Sequence, residues 1–251
     1  MLTEATGRTP QDLVAELKDE LAVDWIPAWQ GLPQLGGPEF RELFDSYGWE
    51  YELPVHERES VAVRTRTGAY LTIGLGTLWG VESVNHYAWH VKAGDPSENG
   101  ALLARAAEDW PAYLKAVESV LGAPTWTGPW DAADFPEPPH PSYWPDRTFR
   151  LESRRPYQFA HWAPAGDAQG RPHIVLSQSV SFPTWTTTAP GGSLLQLELL
   201  APVEFLAPRR TPPSPRPDHQ GRHPPRRPTR HGVYNETAIE PPAPEPTGAE
   251  L

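Results

Sequence analysis

Segments in which apolar and polar residues alternate form two groups along this chain, and one long helical segment separates them. Strict alternation is typical of half-buried strands. The predicted strands cover residues 60–66, 69–75 and 81–92 before the helix, and residues 148–153, 156–163, 173–182 and 194–200 after it. Strands that are grouped, and do not alternate with helices, pair mostly antiparallel. We therefore expect an α+β fold with a mostly antiparallel sheet of about six to seven strands.

The long helical segment extends from about residue 95 to residue 121 and stops before Gly122, a residue type that commonly ends helices. Pro111 falls inside this segment. Because proline lacks a backbone donor and crowds the preceding turn, we expect a kink or a break near Trp110.

Two shorter helices are expected near the N-terminal end. Thr9 followed by proline is typical of a helix start, and this helix should continue to about residue 23. The helical spacing predicts that its buried residues are Leu13, Val14, Leu17 and Leu21. The second helix is expected at residues 38–47, with Gly48 as its C-terminal cap. All three helices should pack against the sheet.

Proline is concentrated in the last part of the chain. Residues 207–251 hold 12 of the 32 prolines, and residues 208–231 carry seven arginines and three histidines with almost no apolar side chain. A segment of this composition cannot offset its chain entropy by burying apolar surface. We therefore expect a single α+β domain at residues 1–206 and a disordered Pro/Arg-rich tail at residues 207–251.

The net charge of −11 is unevenly distributed along the chain. Residues 1–206 contain 14 basic and 27 acidic residues, whereas residues 207–251 contain seven arginines and five acidic residues. An acidic domain repels nucleic acid and attracts basic proteins. The basic part of the tail has no interleaved aromatic residue on which a base could stack. The expected partner is therefore a basic protein and not a nucleic acid.

The composition also limits location and cross-linking. The chain has no cysteine, which excludes a disulfide framework and a thiolate metal site. No window contains 18 consecutive apolar residues, so we expect no membrane span. The first residues lack the basic start and apolar stretch of a secretory signal. These features together predict a cytoplasmic protein.

Glycines 74, 76 and 80 have a spacing that invites comparison with a dinucleotide-binding loop. That loop requires a helix directly after the glycines, because the helix N-terminus binds the pyrophosphate. Here the segment that follows, residues 81–92, has the pattern of a strand. We therefore expect glycines at a hairpin turn or bulge, and no nucleotide cofactor.

Four histidines come from predicted strands. His86 and His90 are four residues apart, which on a strand corresponds to about 13 Å and is too far for one metal ion. They are therefore expected on the sheet surface. His161 and His173 belong to other predicted strands, and the sequence does not show whether the four side chains converge. We expect no catalytic residue, no metal and no cofactor.

Residues 124–146 form a long segment that is rich in proline and tryptophan and has no hydrophobic period. Large aromatic side chains supply much of the binding energy at protein interfaces, and prolines reduce the entropy lost when a loop is ordered. The predicted partner-binding residues are Trp126, Trp130, Asp131, Asp134 and Trp144. The alternative is that the tryptophan rings fold back over the sheet of the protein itself.

Several runs of residues carry a family resemblance. They are WIPAWQGLP at 25–33, FRELFDSYGW at 40–49, a Thr-Gly hairpin, and YLKAVESVLGAPT at 113–125. Their order resembles that of small, uncharacterised α+β proteins of actinobacteria, some of which are similar to immunity proteins of polymorphic-toxin systems. The resemblance covers residues 25–200. It implies a soluble protein-binding domain without a catalytic motif.

Three hypotheses for function follow. The first is a non-enzymatic protein-binding domain, of the immunity type, that inhibits a basic toxin. The second is a structural or assembly protein of a phage or other particle, which uses its C-terminal tail as a tether. The third is a hydrolase, which would need His86, His90 or His161 in a pocket, within about 4 Å of one another or of a carboxylate.

Overall fold

The computed structural model of this chain describes residues 2–4, 8–52, 60–76, 80–164, 170–181 and 189–206. All of them fall within one unit of the chain, Met1–Pro208. The predicted disordered tail at residues 207–251 lies outside the described residues.

The described residues form five α-helices and nine strands. The helices are α1 (Pro10–Leu21), α2 (Ile26–Gln30), α3 (Pro38–Tyr47), α4 (Asn99–Leu121) and α5 (Arg147–Ser153). The strands are β1 (Thr3–Glu4), β2 (Glu50–Glu52), β3 (Ser60–Arg64), β4 (Tyr70–Leu75), β5 (Val81–Lys92), β6 (Trp126–Pro129), β7 (Gln158–Trp162), β8 (His173–Ser181) and β9 (Gly192–Leu200).

All nine strands belong to one sheet, in the order β2-β3-β4-β5-β9-β8-β7-β6, and β1 pairs with the far end of β5. Every pairing between them is antiparallel. At the centre, β5 and β9 pair over most of their lengths. The predicted α+β class with a mostly antiparallel sheet is confirmed, and the sheet contains more strands than the alternation indicated.

Three helices cover one face of the sheet, called here the helix face. A row of paired residues on this face crosses seven strands: Tyr51, Val63, Leu71, His86, Leu197, Leu176 and Ala160. On α3, the Phe40 ring packs edge-on against Tyr51. On α4, the backbone oxygen of Ala106 accepts a hydrogen bond from Gln178 of β8. The α1 contact is made through His86, described below. Burial between these helices and the sheet forms the main core.

The predicted helix ends at α1 and α3 are confirmed. Thr9 Oγ1 accepts a hydrogen bond from the Asp12 backbone N–H, and the Asp12 carboxylate accepts one from the Thr9 N–H. This reciprocal capping box satisfies two backbone donors that the helix itself leaves unpaired. Gly48 ends α3 in the left-handed conformation, with φ of 68°, which glycine adopts without steric strain.

The buried stripe of α1 is rotated from the predicted one. Leu13 and Leu17 are buried as expected, but Leu21 is 38% exposed. Glu16 and Glu20 occupy the inward positions instead, with 2% and 0% exposure. The apolar pattern alone therefore predicted only half of the buried face, because charged residues are rarely buried without partners.

Helix α4 continues through Pro111 without a break. The predicted break is therefore absent. Inward-facing residues are buried on both sides of the proline, namely Leu102, Ala106, Trp110, Tyr113 and Val117. We attribute the continuity to this packing, which offsets the single backbone hydrogen bond that proline cannot donate.

Residues 148–153 were predicted as a strand, and this prediction is wrong, because they lie in α5. The Asp146 side chain caps the helix by accepting a hydrogen bond from the Phe149 backbone N–H at 2.9 Å. An alternating pattern of only six residues fits a short helix as well as a strand, so a local cap decides between them. The short elements α2, β1, β2 and β6 were not predicted.

Candidate functional site

The face of the sheet opposite the helices, called here the open face, is covered over only part of its width. A row of paired residues on it consists of Ala62, Thr72, Asn85, Glu198, Val175, His161 and Trp126. The first four are partly exposed, whereas Val175 and His161 are buried. The covered part therefore lies over β8 and β7, and the exposed part over β3, β4, β5 and β9.

The segment 130–146, which follows β6, forms the cover over β7 and β8. Trp144 is 5% exposed, and its ring lies 5.2 Å from Phe159 and 5.2 Å from His161, measured between centroids. Its indole N–H donates to the Pro136 carbonyl at 3.0 Å. Trp144 thus packs in the core, as the alternative interpretation of the loop expected, and could touch a partner only if the loop opened.

Trp126 is half-buried at the edge of the sheet. Its ring packs against Phe135 at 4.9 Å, and its indole N–H donates to Asp134 Oδ2 at 3.2 Å. The contact joins two of the predicted partner-binding residues to each other. Trp126 therefore supports the loop and exposes only part of its ring.

Trp130, Asp131 and Asp134 remain accessible on the outer side of the loop. Trp130 is partly exposed, and both aspartates are exposed. The buried guanidinium of Arg150 donates to the Trp130 carbonyl, and the Arg154 guanidinium lies 5.6 Å from the Trp130 ring. Both arginines belong to α5 or its C-terminal cap. The outer loop is therefore held to α5.

Helix α5 exposes large apolar side chains beside this loop. Phe149 is 54% exposed and Leu151 is 41% exposed. Together with Trp130, Asp131 and Asp134 they form what we call the loop–α5 surface. Residues 124–146 contain four carboxylates, at Asp131, Asp134, Glu137 and Asp146, and no lysine or arginine. The sequence could not reveal the contribution of α5, because this segment was taken for a strand.

A second polar arrangement, not predicted, lies in the core between α1 and β5. His86 is 1% exposed, and its Nε2 lies 2.8 Å from Glu16 Oε2 while its Nδ1 lies 3.0 Å from Glu20 Oε1. Both contacts lie within ion-pair distance, but neither ring nitrogen makes a hydrogen bond of good geometry to a carboxylate. The expectation that His86 lies on the sheet surface is wrong.

Two arginines at the rim of this cluster, the partly exposed Arg8 and the mostly exposed Arg66, pair with its carboxylates. Arg8 pairs with Glu16, and Arg66 pairs with Asp19, which is 8% exposed. Three carboxylates thus face two guanidinium groups and one imidazole. One feature of the sequence could have predicted the cluster. Glu16 and Glu20 are spaced so that they lie on the same side of the helix as Leu13 and Leu17.

The cluster meets the distance condition of the hydrolase hypothesis but not its requirement for a pocket. His86 lies within hydrogen-bonding distance of two carboxylates, yet all three side chains are at most 2% exposed. A substrate cannot reach them, so the contacts are structural. Such networks stabilise a fold only when every charge remains paired.

His161 and His173 do not join this cluster. His161 lies on the open face under Trp144, and His173 contacts the Tyr143 ring at 5.1 Å. Burial, together with nearby His173, lowers the pKa of His161 to about 4. Burial also lowers the pKa of His173. Both imidazoles are therefore neutral at pH 7 and belong to the packing beneath the loop.

Glu198 is the acidic residue in the row of paired residues on the open face. It occupies the middle of β9, between Asn85 of β5 and Val175 of β8, at the boundary between the exposed and the covered part. Burial raises the pKa of its carboxyl group to about 7, well above the ordinary value of 4.5. Carboxylic acids with this property occur often at functional sites. The strand pattern of the sequence gave no reason to single it out.

Among the described residues, no group of three or more His, Asp or Glu side chains is arranged to hold a metal ion. Within the same part of the chain, no helix combines the length and the apolar character of a membrane span.

Comparison of the chain with protein-family models, with curated proteins and with solved structures gives no match. The candidate sites therefore stand on their own geometry.

Proposed function

We propose that this chain is a non-enzymatic protein-binding domain that inhibits a basic partner, as the toxin-neutralising immunity proteins that it resembles do. The loop–α5 surface is the proposed contact region. One observation carries the proposal: Trp130 is partly exposed in residues 124–146, a segment that has four carboxylates and no lysine or arginine, and the exposed Phe149 and Leu151 follow this segment on α5, beside Arg147 and Arg150.

The chemistry of this surface suits a basic partner. Exposed apolar side chains at the centre of an interface provide affinity, whereas surrounding charges raise the association rate and suppress wrong partners. The negative charge of residues 1–206 extends the same field over the whole domain. Because such steering is screened by salt over about 10 Å at 0.1 M, the association rate should fall as the ionic strength rises.

Two variants test the proposed surface against a basic toxin encoded beside the gene, and the lack of a toxin-like reading frame there would itself count against the proposal. We expect Trp130→Ala to weaken binding by about tenfold or more, because a truncated interface aromatic typically loses 2 kcal/mol or more. We expect Asp134→Lys to slow association. Calorimetry gives the affinity, and stopped-flow mixing gives the rate.

A matched control is Glu108→Lys, which reverses the same charge at an exposed position on α4. It changes the net charge as Asp134→Lys does but leaves the loop–α5 surface intact. Equal effects of the two reversals would contradict a localised contact. Loss of thermal stability in Trp130→Ala without a loss of affinity would show that the ring belongs to the core.

A further inference from the structure

The exposed part of the open face has a polar centre. Asn85, Gln196 and Ser83 come from β5 and β9, and all three side chains are partly exposed. Polar side chains are not required there for packing, because the sheet core lies on the helix face. Packing therefore does not explain these polar side chains, whereas binding of a polar ligand would.

The side-chain amide of Asn85, the direct neighbour of Glu198, donates to partners other than Glu198. Asn85 Nδ2 donates to the Thr72 carbonyl at 3.3 Å and to Ser83 Oγ at 3.1 Å. Gln196 Nε2 donates to Asn85 Oδ1 at 3.0 Å. The amide of Asn85 has therefore used both of its N–H groups, and Glu198, its direct neighbour across the strands, receives neither.

The carboxyl group of Glu198 has no hydrogen-bond donor or cation as a partner among the described residues. Burial is the single cause of its perturbed pKa. A partly buried carboxyl that lacks donors from the protein is destabilised in its charged form. Since the side chain remains partly exposed, a ligand from solution can supply what the protein does not.

We propose that Glu198 is the anionic anchor of a binding site for a small organic cation on the open face, and that an ammonium or guanidinium group of the ligand donates the hydrogen bonds that this carboxylate lacks. A cation at this position would hold Glu198 ionised at neutral pH. Charge-assisted hydrogen bonds of this kind are about twice as strong as neutral ones.

Tyr87 is the second element of the site. It pairs with Gln196 across β5 and β9, so it lies on the same face, one side-chain step along the sheet from Glu198. Its side chain is 38% exposed. An aromatic ring attracts a cation that lies over its face, and it packs against the apolar part of the same ligand. This pair selects an organic cation over an inorganic one.

The test titrates the full chain with butylguanidinium and, separately, with N-butylurea. Both probes have a planar head of similar shape with N–H donors, but N-butylurea has a carbonyl oxygen in place of one NH2 group, and only butylguanidinium is charged. Backbone amide and Glu198 carboxyl resonances are followed by NMR. We expect saturable shifts on β5 and β9 with butylguanidinium, together with a lowered Glu198 pKa, and binding of N-butylurea that is roughly tenfold or more weaker.

Two variants and one control locate the binding. Glu198→Gln, which keeps the shape of the side chain, should weaken butylguanidinium binding by roughly tenfold to a hundredfold. Tyr87→Ala should weaken it less. Glu137→Gln, on the exposed loop, removes the same charge elsewhere and should leave the affinity unchanged. The amide spectrum of each variant reports whether the fold is intact.

Three outcomes would overturn the proposal. The first is the absence of saturable shifts on β5 and β9. The second is equal binding of the charged and uncharged probes, which would show that charge is irrelevant. The third is equal affinity in Glu198→Gln and the wild type, which would mean that an acidic protein attracts the cation nonspecifically.

Discussion

Replacing His86 with leucine is expected to destabilise the fold by about 3–5 kcal/mol, because it removes the partner that buried carboxylates require. His86 lies within ion-pair distance of Glu16 and Glu20 in a region that is at most 2% exposed. The expected magnitude is that of a buried ion pair from which one partner is removed. Leucine fills a similar volume, which keeps the contribution of a cavity small.

Most of this loss of stability is expected to come from Glu20, which is left without its ion-pair partner. Glu16 keeps its ion pair with Arg8 after the substitution, whereas His86 is the ion-pair partner that the described structure shows for Glu20. The double variant Glu20→Leu/His86→Leu should therefore regain at least half of the lost stability, since replacing a buried ion pair with apolar residues is often neutral or favourable.

Urea unfolding at pH 7, followed by far-UV circular dichroism, measures these free energies. The expected fall in Tm for His86→Leu is roughly 6–20 °C, from about 2–4 °C per kcal/mol in a domain of this size. His90→Leu, at a partly exposed position on the same strand, is the control and should change stability by less than about 1 kcal/mol. A loss below about 1 kcal/mol in His86→Leu, or no recovery in the double variant, would refute the reasoning.

Further predictions concern pH, capping and the loop. Between pH 4.5 and 7 the folded state keeps the Glu198 proton that the unfolded state releases, so the stability of the wild type relative to Glu198→Gln should fall as pH rises there, measured by urea titrations. His161 contributes with the opposite sign: its unfolded form binds the proton between pH 6.5 and about 4, so the stability of the wild type relative to His161→Phe should fall on acidification. Asp146→Ala should lower stability by about 1 kcal/mol through loss of the α5 cap, measured by urea unfolding, and Asp146→Asn should largely restore it. Trp144→Ala should lower stability by about 3–5 kcal/mol in the same assay, and a loss below about 1 kcal/mol would show that the ring does not belong to the core.

Much of the fold follows from local signals in the sequence. The capping box at Thr9, the glycine at the end of α3 and the alternation in β3, β4 and β5 each concern residues that are close along the chain. Their energies do not depend on distant partners, so sequence patterns predict them. The segment 148–153 was mispredicted because its pattern is short, and the deciding contact was the side-chain cap from Asp146.

The candidate sites were less predictable. The tryptophan loop could be recognised by its composition, but the sequence could not show that Trp144 faces the sheet while Trp130 faces outward. Rings of the same type take either role, and the choice depends on the strand that lies beneath them. The loop–α5 surface likewise required knowledge of α5.

Tertiary structure alone decided the two groups of buried charge. The inward turn of Glu16 and Glu20 is stable only because antiparallel pairing brings His86 opposite α1. Glu198 receives no hydrogen bond from Asn85, its neighbour across β5 and β9, because the Asn85 amide donates to Thr72 and Ser83 instead. Sequence patterns alone indicated the longer elements, the net charge and the absence of cysteine. The pairing of distant strands determined which polar groups are satisfied, because a hydrogen bond depends on positions in space that no local pattern encodes.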